Sequence, residues 1–323
     1  MTDFSFDITH RLEGTQARVG TITTPHGQIQ TPAFIVGGTQ ATVKALTNTD
    51  VTELGGQSIL ANTYHLMLRP GADTIEAAGG LAKFMGYDGP TFTDSGGFQV
   101  LSLGVAYKKG LDAVAHSEKG DAAKAVASKS QLAKVSEDGV DFRSHLDGSK
   151  LRMTPESSME LQHKIGADIH MAFDECVAPL STESYLAESV DRTHRWAVRC
   201  LETHTALNDE HRANNEPLQA LYGVVQGGRD LNLRRKSASF LGSMDFDGYG
   251  IGGVFEPGEI ADVVGLVNSV LPENKPRHLL GMGSQPADLF LGVEYGVDTF
   301  DCVAPTRQAR NGAIYTLDGR IDI

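Results

Sequence analysis

Two aspartates far apart in the chain each close a short apolar run: Asp94 follows Thr91–Thr93 and Asp301 follows Thr299–Phe300. Carboxylates from two such ends can converge over one substrate. A pair of this kind can share the roles of nucleophile and general acid/base, as in glycosyl transfer with retention. Spacing alone does not say that a glycosidic bond is the target. A divalent-metal hydrolase would also use several aspartates at strand ends, usually with histidine. His65, His145, His163, His170 and His194 form no HxH or HExxH pattern, which counts against a metal centre. His163 lies in a charged helical stretch and is expected at the surface.

A second set of residues suits a flat ligand. In Asp94-Ser95-Gly96-Gly97-Phe98-Gln99 two glycines stand beside a carboxylate and an aromatic ring. Glycine lets a planar group approach the backbone, and Phe98 could stack on it. Asp174 could accept from the N1–H and exocyclic amine of a guanine-like ring. Gln226 and the Gly253 N–H could donate to its carbonyl oxygen. Adenine presents the reverse pattern and would be refused. Met282 could form the opposite wall, although Phe98 and Met282 equally suit ordinary core packing.

These residues need a frame that brings distant positions together. Apolar runs at Ser58–Ala61, Thr91–Thr93, Ile169–Phe173, Leu218–Val225, Gly248–Ile251, His278–Leu280 and Thr299–Phe300 alternate with amphipathic stretches. Helices are expected over Leu46–Leu54, Pro155–Ile165, Thr182–His204, Asp230–Leu241, Pro257–Val270 and Pro286–Tyr295. Thr154 before Pro155, and Ser284 with Pro286, are start signals. Ala17–Thr23 and Gln28–Val36 flank Pro25-His26-Gly27 and read as a β hairpin. About eight strand–helix repeats point to an α/β fold, an irregular (β/α)₈ TIM barrel with N-terminal hairpins. An open doubly wound sheet is the rival, but no GxGxxG loop follows the first strand. Asp94, Asp174, Gln226, Gly253 and Asp301 all fall at or just past strand C-termini, the face where barrels hold their chemistry. Residues 104–134, rich in Ala, Lys, Ser and Gly, are expected to be an exposed insertion after the third strand, within one barrel domain spanning 1–323.

The chain of 323 residues carries 41 acidic and 28 basic side chains, a net charge of −13. That sum disfavours a general nucleic-acid coating protein, while leaving room for a local basic grip. Cys176, Cys200 and Cys302 form no CxxC, so neither a thiolate cage nor a disulfide framework is expected. The first residues read as no signal peptide and no 18-residue apolar run occurs, which suits a cytoplasmic protein without a membrane partner.

Longer strings carry a resemblance. DSGGFQV (94–100), FRSHLDGSK (142–150), MAFDEC (171–176), VQGG (225–228) and FDCVAPTRQARNG (300–312), with NTYHLMLRPG (62–71), resemble the bacterial branch of the queuine/tRNA-guanine transglycosylase family. The resemblance runs from about Ile8 to Tyr315. It implies an irregular (β/α)₈ barrel and replacement of guanine at the wobble position of tRNAs with GUN anticodons. The incoming base would be preQ1, 7-aminomethyl-7-deazaguanine, on the way to queuosine. Carried over by position, Asp301 would be the nucleophile and Asp94 the general acid/base. Asp174, Gln226 and Gly253 would read the base, between Phe98 and Met282. Cys176 would lie near the 7-substituent and would not be a nucleophile. Arg307 and Arg310 would hold the flanking nucleotides of the anticodon loop. The cluster Arg229, Arg234, Arg235 and Lys236 reads instead as an exposed helix side.

Three departures qualify the resemblance. The family's CxCxxC zinc cluster and later histidine have no counterpart before Ile323, so no zinc is expected, and a homodimer would be weakened. The Gly252–Glu259 loop, GGVFEPGE, has one residue more than its relatives and a proline, which loosens the preference for preQ1. The 104–134 excursion is longer than usual. A guanine transglycosylase acting on DNA or another polynucleotide, and a base-binding subunit with little turnover, are the alternatives.

Overall fold

The structure, a computed structural model, describes residues 4–99, 133–179, 181–253 and 255–323. Eight strands close a parallel barrel in the order β10, β11, β12, β13, β14, β4, β5, β6. Their ranges are β4 Ala33–Gly37, β5 Ile59–Ala61, β6 Thr91–Thr93, β10 Ile169–Met171, β11 Ala220–Val225, β12 Gly248–Ile251, β13 Arg277–Leu279 and β14 Thr299–Cys302. Each of the seven apolar runs read from the sequence supplies one strand. Strands such as β11, ALYGVV, are buried at every residue, because a parallel strand is covered by helices outside and by the packed interior within.

The eighth strand corrects the sequence reading. Gln28–Val36 is not one hairpin strand. It divides at Pro32 into β3 (Gly27–Thr31), which pairs antiparallel with β2 (Arg18–Thr24), and β4, which pairs parallel with β14 and β5. Proline has no N–H to give a ladder, so the chain can leave one sheet and enter the next there. β1 (Ser5–Arg11), β2 and β3 form a meander that closes the N-terminal end of the barrel. Its Ile22 and Ile29 are fully buried against Ile35, Phe92, Met171, Tyr222 and Val224.

The helices between strands follow their start and stop signals. Helix α5 (Pro155–Ile165) begins with a Thr154 capping box and proline in its first turn, and ends at Gly166 with φ +70°. Helix α6 (Glu183–Asn214) runs ten residues beyond the expected His204 and stops only at Asn215, which takes the left-handed conformation. α7 (Leu231–Gly242), α8 (Ile260–Val270) and α9 (Pro286–Glu294) lie where expected. Four short helices lie between β4 and β6: α1 (Asn48–Glu53), α2 (Thr63–Leu68), α3 (Ala72–Ala77) and α4 (Leu81–Met85).

After β6 the chain leaves the barrel. It returns through an antiparallel sheet of β7 (Ala133–Val135), β8 (Val140–Arg143) and β9 (Lys150–Met153). The 104–134 insertion lies outside the described residues except for its last two, which already belong to β7. The helix α10 (Ala304–Arg310) and the hairpin β15 (Ala313–Thr316), β16 (Gly319–Asp322) follow the last barrel strand.

Candidate active site at the C-terminal end of the barrel

Asp94 is the first residue past β6. Its Oδ1 accepts the N–H of Thr63 at 3.0 Å and of Gly96 at 3.1 Å. Its Oδ2 accepts from the Asn62 amide and, at 3.3 Å, from Gln99 Nε2. Asn62 is itself fixed, because its Oδ1 caps α2 through the His65 N–H at 3.0 Å. Burial pushes the Asp94 carboxyl up to about 7. The neighbouring Asp301 charge adds to this, and the Thr63, Gly96 and Asn62 donors oppose it. A carboxyl poised there can give or take a proton near neutral pH.

Asp301, inside β14, accepts at Oδ1 from the Gly281 N–H at 2.9 Å and lies 3.1 Å from His278 Nε2. His278 is fully buried, stacks on Phe92, and contacts Thr299 Oγ1 through Nδ1 at 2.9 Å. Both contacts of Asp301 engage the same oxygen, and Oδ2 has no hydrogen-bond partner among the described residues.

Asp174 and Gln226 meet directly: Gln226 Nε2 donates to Asp174 Oδ2 at 2.6 Å, and Ser95 Oγ donates to Asp174 Oδ1 at 3.2 Å. Burial pushes the Asp174 carboxyl up to about 6 against those two bonds. Glycines make this approach feasible. A Cβ on Gly97 would stand 2.8 Å from the Asp174 carbonyl oxygen, and one on Gly253, at φ +92°, would stand 2.9 Å from Gln226 Oε1. Cys176 lies beside Asp174, Gln226, Gly253 and Arg234, and burial pushes its thiol up to about 12, so it stays protonated.

Phe98 is exposed in the helical stretch that begins at Gly97, and Met282 is half-buried next to Gly281, the donor to Asp301. Arg307 and Arg310 sit three residues apart on exposed α10, directly after the strand that carries Asp301. Sequence reasoning passed over Asn62, Thr63, Ser95 and His278, which hold the carboxylates in place. Asn62 was detectable as a helix cap, while nothing in the sequence marks His278.

Two expectations are corrected. Arg234 is not on an exposed helix side: it is fully buried, while Arg235 and Lys236 are exposed as expected. Arg229 is tied to Glu256 and Glu259 at 2.7 and 2.9 Å. His163 is not a surface residue but a buried one. Its Nε2 and that of His170 lie 3.1 and 2.9 Å from His204 Nδ1, the one such group of metal-ligand type among the described residues. Asn208 donates to the other His204 nitrogen at 3.1 Å while its own oxygen accepts the Gln219 N–H, which puts the His204 proton on Nδ1, between the two rings. Burial holds all three imidazoles neutral, His163 near 2 and His204 near 4. The three cysteines are free and separate.

A family model described as queuine tRNA-ribosyltransferase matches residues 13–323. The chain belongs to that family. Proteins named queuine tRNA-ribosyltransferase from Herpetosiphon aurantiacus, Desulforamulus reducens and Lysinibacillus sphaericus are 48, 47 and 46 % identical to it. The alignments cover 100, 98 and 98 % of this chain and 73, 76 and 74 % of those relatives. As a queuine tRNA-ribosyltransferase family member the chain is an enzyme of the pentosyltransferase class. Among the described residues no helix is long and apolar enough to cross a membrane.

Proposed function

We propose that this chain exchanges guanine at the wobble position of GUN-anticodon tRNAs for a 7-deazaguanine, with preQ1 as the base, as a step toward queuosine. The observation that carries the reading is the pairing of two unlike carboxyl groups at one barrel end. Asp94 is raised to about 7 among neutral donors, and Asp301 is held by one oxygen while the other has no hydrogen-bond partner among the described residues.

Asp301 Oδ2 attacks C1′ of the target nucleotide. The C1′–N9 bond breaks, its electron pair leaves with guanine, and Asp94 supplies the proton that neutralises the departing base. A ribosyl ester to Asp301 results. The incoming base then gives its N9 proton to Asp94, and N9 attacks C1′. The ester bond breaks with its electrons returning to Asp301, so two displacements give retention. Asp174 accepts from the N1–H and amine of the ring, while Gln226 and the Gly253 N–H donate to its carbonyl. Phe98 and Met282 flank the ring and Cys176 faces the 7-substituent. A wobble base is already in a single-stranded loop, so extruding it costs only a few kcal/mol. Arg307 and Arg310 would hold the neighbouring nucleotides.

The test is incorporation of labelled guanine into a GUN-anticodon tRNA, with Asp301→Asn as control. Incorporation that disappears in the variant, with an Asp301–RNA adduct trapped in the wild type, supports the reading. A folded wild type that binds guanine but exchanges none would identify a base-binding subunit instead, and exchange only into DNA would move the substrate class.

A further inference from the structure

Arg234 is a fully buried charged side chain with no carboxylate bonded to it among the described residues. It projects from the first turn of α7, capped by Asp230, which accepts the N–H of Asn232 and Leu233 at 2.8 and 3.0 Å. Its guanidinium is spent on main-chain carbonyls. Nε donates to Gly228 O at 2.8 Å, and Nη1 donates to Val225 O at 3.0 Å and to Gly252 O at 2.7 Å. The plane also lies over the Phe255 ring, 5.2 Å from its centre. Nη2 has no partner among the described residues, although it is buried.

The positions of those carbonyls are informative. Val225 immediately precedes Gln226, and Gly252 immediately precedes Gly253. Through the one nitrogen Nη1 the guanidinium therefore ties the ends of two neighbouring parallel strands, β11 and β12, each at a carbonyl one residue before a group assigned to the carbonyl edge of the base. The free Nη2 points to the same place: a Cβ on Gly253 would meet it at 2.8 Å. A lysine presents one nitrogen to the two strand-end carbonyls and lacks the Nε–H that also holds Gly228 O. A buried cation without a counter-ion is costly, and here main-chain carbonyls at the base-reading edge offset part of that cost. Its field also favours an acceptor atom at that edge, because a charge in a low-dielectric site acts strongly on what lies in front of it.

We propose that Arg234 is the positioning residue of the base-reading edge, setting the Gln226 amide and the Gly253 N–H to receive a ring oxygen and biasing that edge toward oxo rather than amino bases. The proposal rests on the function proposed above. Burial lowers the Arg234 pKa only to about 10, so the group remains a cation at neutral pH.

Steady-state exchange with labelled guanine separates the two readings. In Arg234→Gln the KM for guanine rises about tenfold or more, the loss expected for charge-assisted hydrogen bonds. The KM for tRNA stays within about twofold, because the clamp does not touch the RNA face. The preference for guanine over 2,6-diaminopurine, which carries an amine in place of the oxygen, falls in parallel. Arg234→Lys recovers part of the preference but not the full affinity. If Arg234→Gln does not fold, Phe255→Leu removes the ring under the guanidinium while leaving its donors. It shifts guanine KM several-fold and leaves tRNA KM unchanged. Folded variants with unchanged guanine KM and unchanged discrimination, or with equal losses toward both substrates, overturn the proposal. A wild type that binds no guanine at all overturns the functional reading instead.

Discussion

The two ends of the barrel treat buried carboxylates in opposite ways. At the N-terminal end, Asp298 is gripped by Arg18 through two bonds, Nε at 2.8 Å and Nη2 at 2.6 Å, and accepts the Arg277 N–H at 2.7 Å. Asp168 takes His26 Nδ1 at 2.7 Å and the Thr91 N–H at 2.9 Å. Arg18 and His26 both come from the N-terminal meander, so these pairs fasten the plug to the barrel. At the C-terminal end, Asp94 and Asp174 have only neutral donors among the described residues; burial raises both, as it also raises Asp298 against Arg18, so the ends differ in the partners they supply rather than in the direction of the shift. A cation would quiet them as proton carriers and hydrogen-bond readers. One end uses charge to hold the fold, and the other keeps charge uncompensated to do chemistry.

The sharpest way to break this contrast is Asp301→Asn. The expected outcome is a loss of base exchange of about a thousandfold or more, since the nucleophile is gone. Denaturant midpoints should match the wild type, because the amide can still accept from Gly281. A variant that loses stability as much as activity would mean that the C-terminal carboxylates also hold the barrel closed.

The mirror experiment is Arg18→Ala. Removing one partner of a buried pair leaves Asp298 uncompensated and costs about 3–5 kcal/mol of folding stability. Urea titration should show an earlier midpoint, while the fraction still folded exchanges guanine with an unaltered KM. An unaltered midpoint would show that the Arg18–Asp298 pair does not hold the plug.

The third prediction concerns pH. Asp94 acts as an acid when the base leaves, and its proton is lost as pH passes about 7. Single-turnover release of guanine should fall about tenfold per pH unit above that point and level off below it. The residual rate of Asp94→Asn should be flat across the same range. A wild-type profile flat from pH 6 to about 9 would remove Asp94 from the proton-transfer role.

The sequence and the structure part company at places with a common physical cause. The seven short apolar runs were legible because parallel strands must be apolar on both faces, and α5 because Thr154, Pro155 and Gly166 mark both its ends. The first barrel strand was hidden because its residues continue the hairpin pattern, and only Pro32 separates them. Asp94, Asp174, Gln226 and Asp301 were visible as polar residues ending apolar runs. Arg234 and His163 were misread for a shared reason. Each stands among charged neighbours on a helix, where composition points to solvent, but one face of that helix packs inward. Burial of a single polar position is set by which way a helix is turned, and this pattern is too short to fix that angle. The supporting groups Asn62, Ser95 and His278 gain their meaning only when distant strands meet.

The smallest effect sharpens the contrast most finely, because it asks whether the N-terminal end titrates as stability rather than as rate. His26 has its pKa raised above the ordinary 6.5, first by the hydrogen bond from its ring to Asp168 and then by that residue's charge, against the cost of burial. The folded state therefore binds this proton more tightly than the unfolded chain does. The resulting stabilisation is fully present below pH 6.5 and is lost as pH rises through the raised folded value. His26 is partly exposed, so solvent screens the pair and the effect is modest. Comparing wild type with His26→Asn by urea unfolding at pH 5.5 and at pH 8.5, the gap between their midpoints should be larger at the lower pH. Guanine exchange by the folded variant should match the wild type at both. A gap that widens with rising pH would mean that the neutral ring, acting as an ordinary hydrogen-bond donor, is what ties the meander to Asp168.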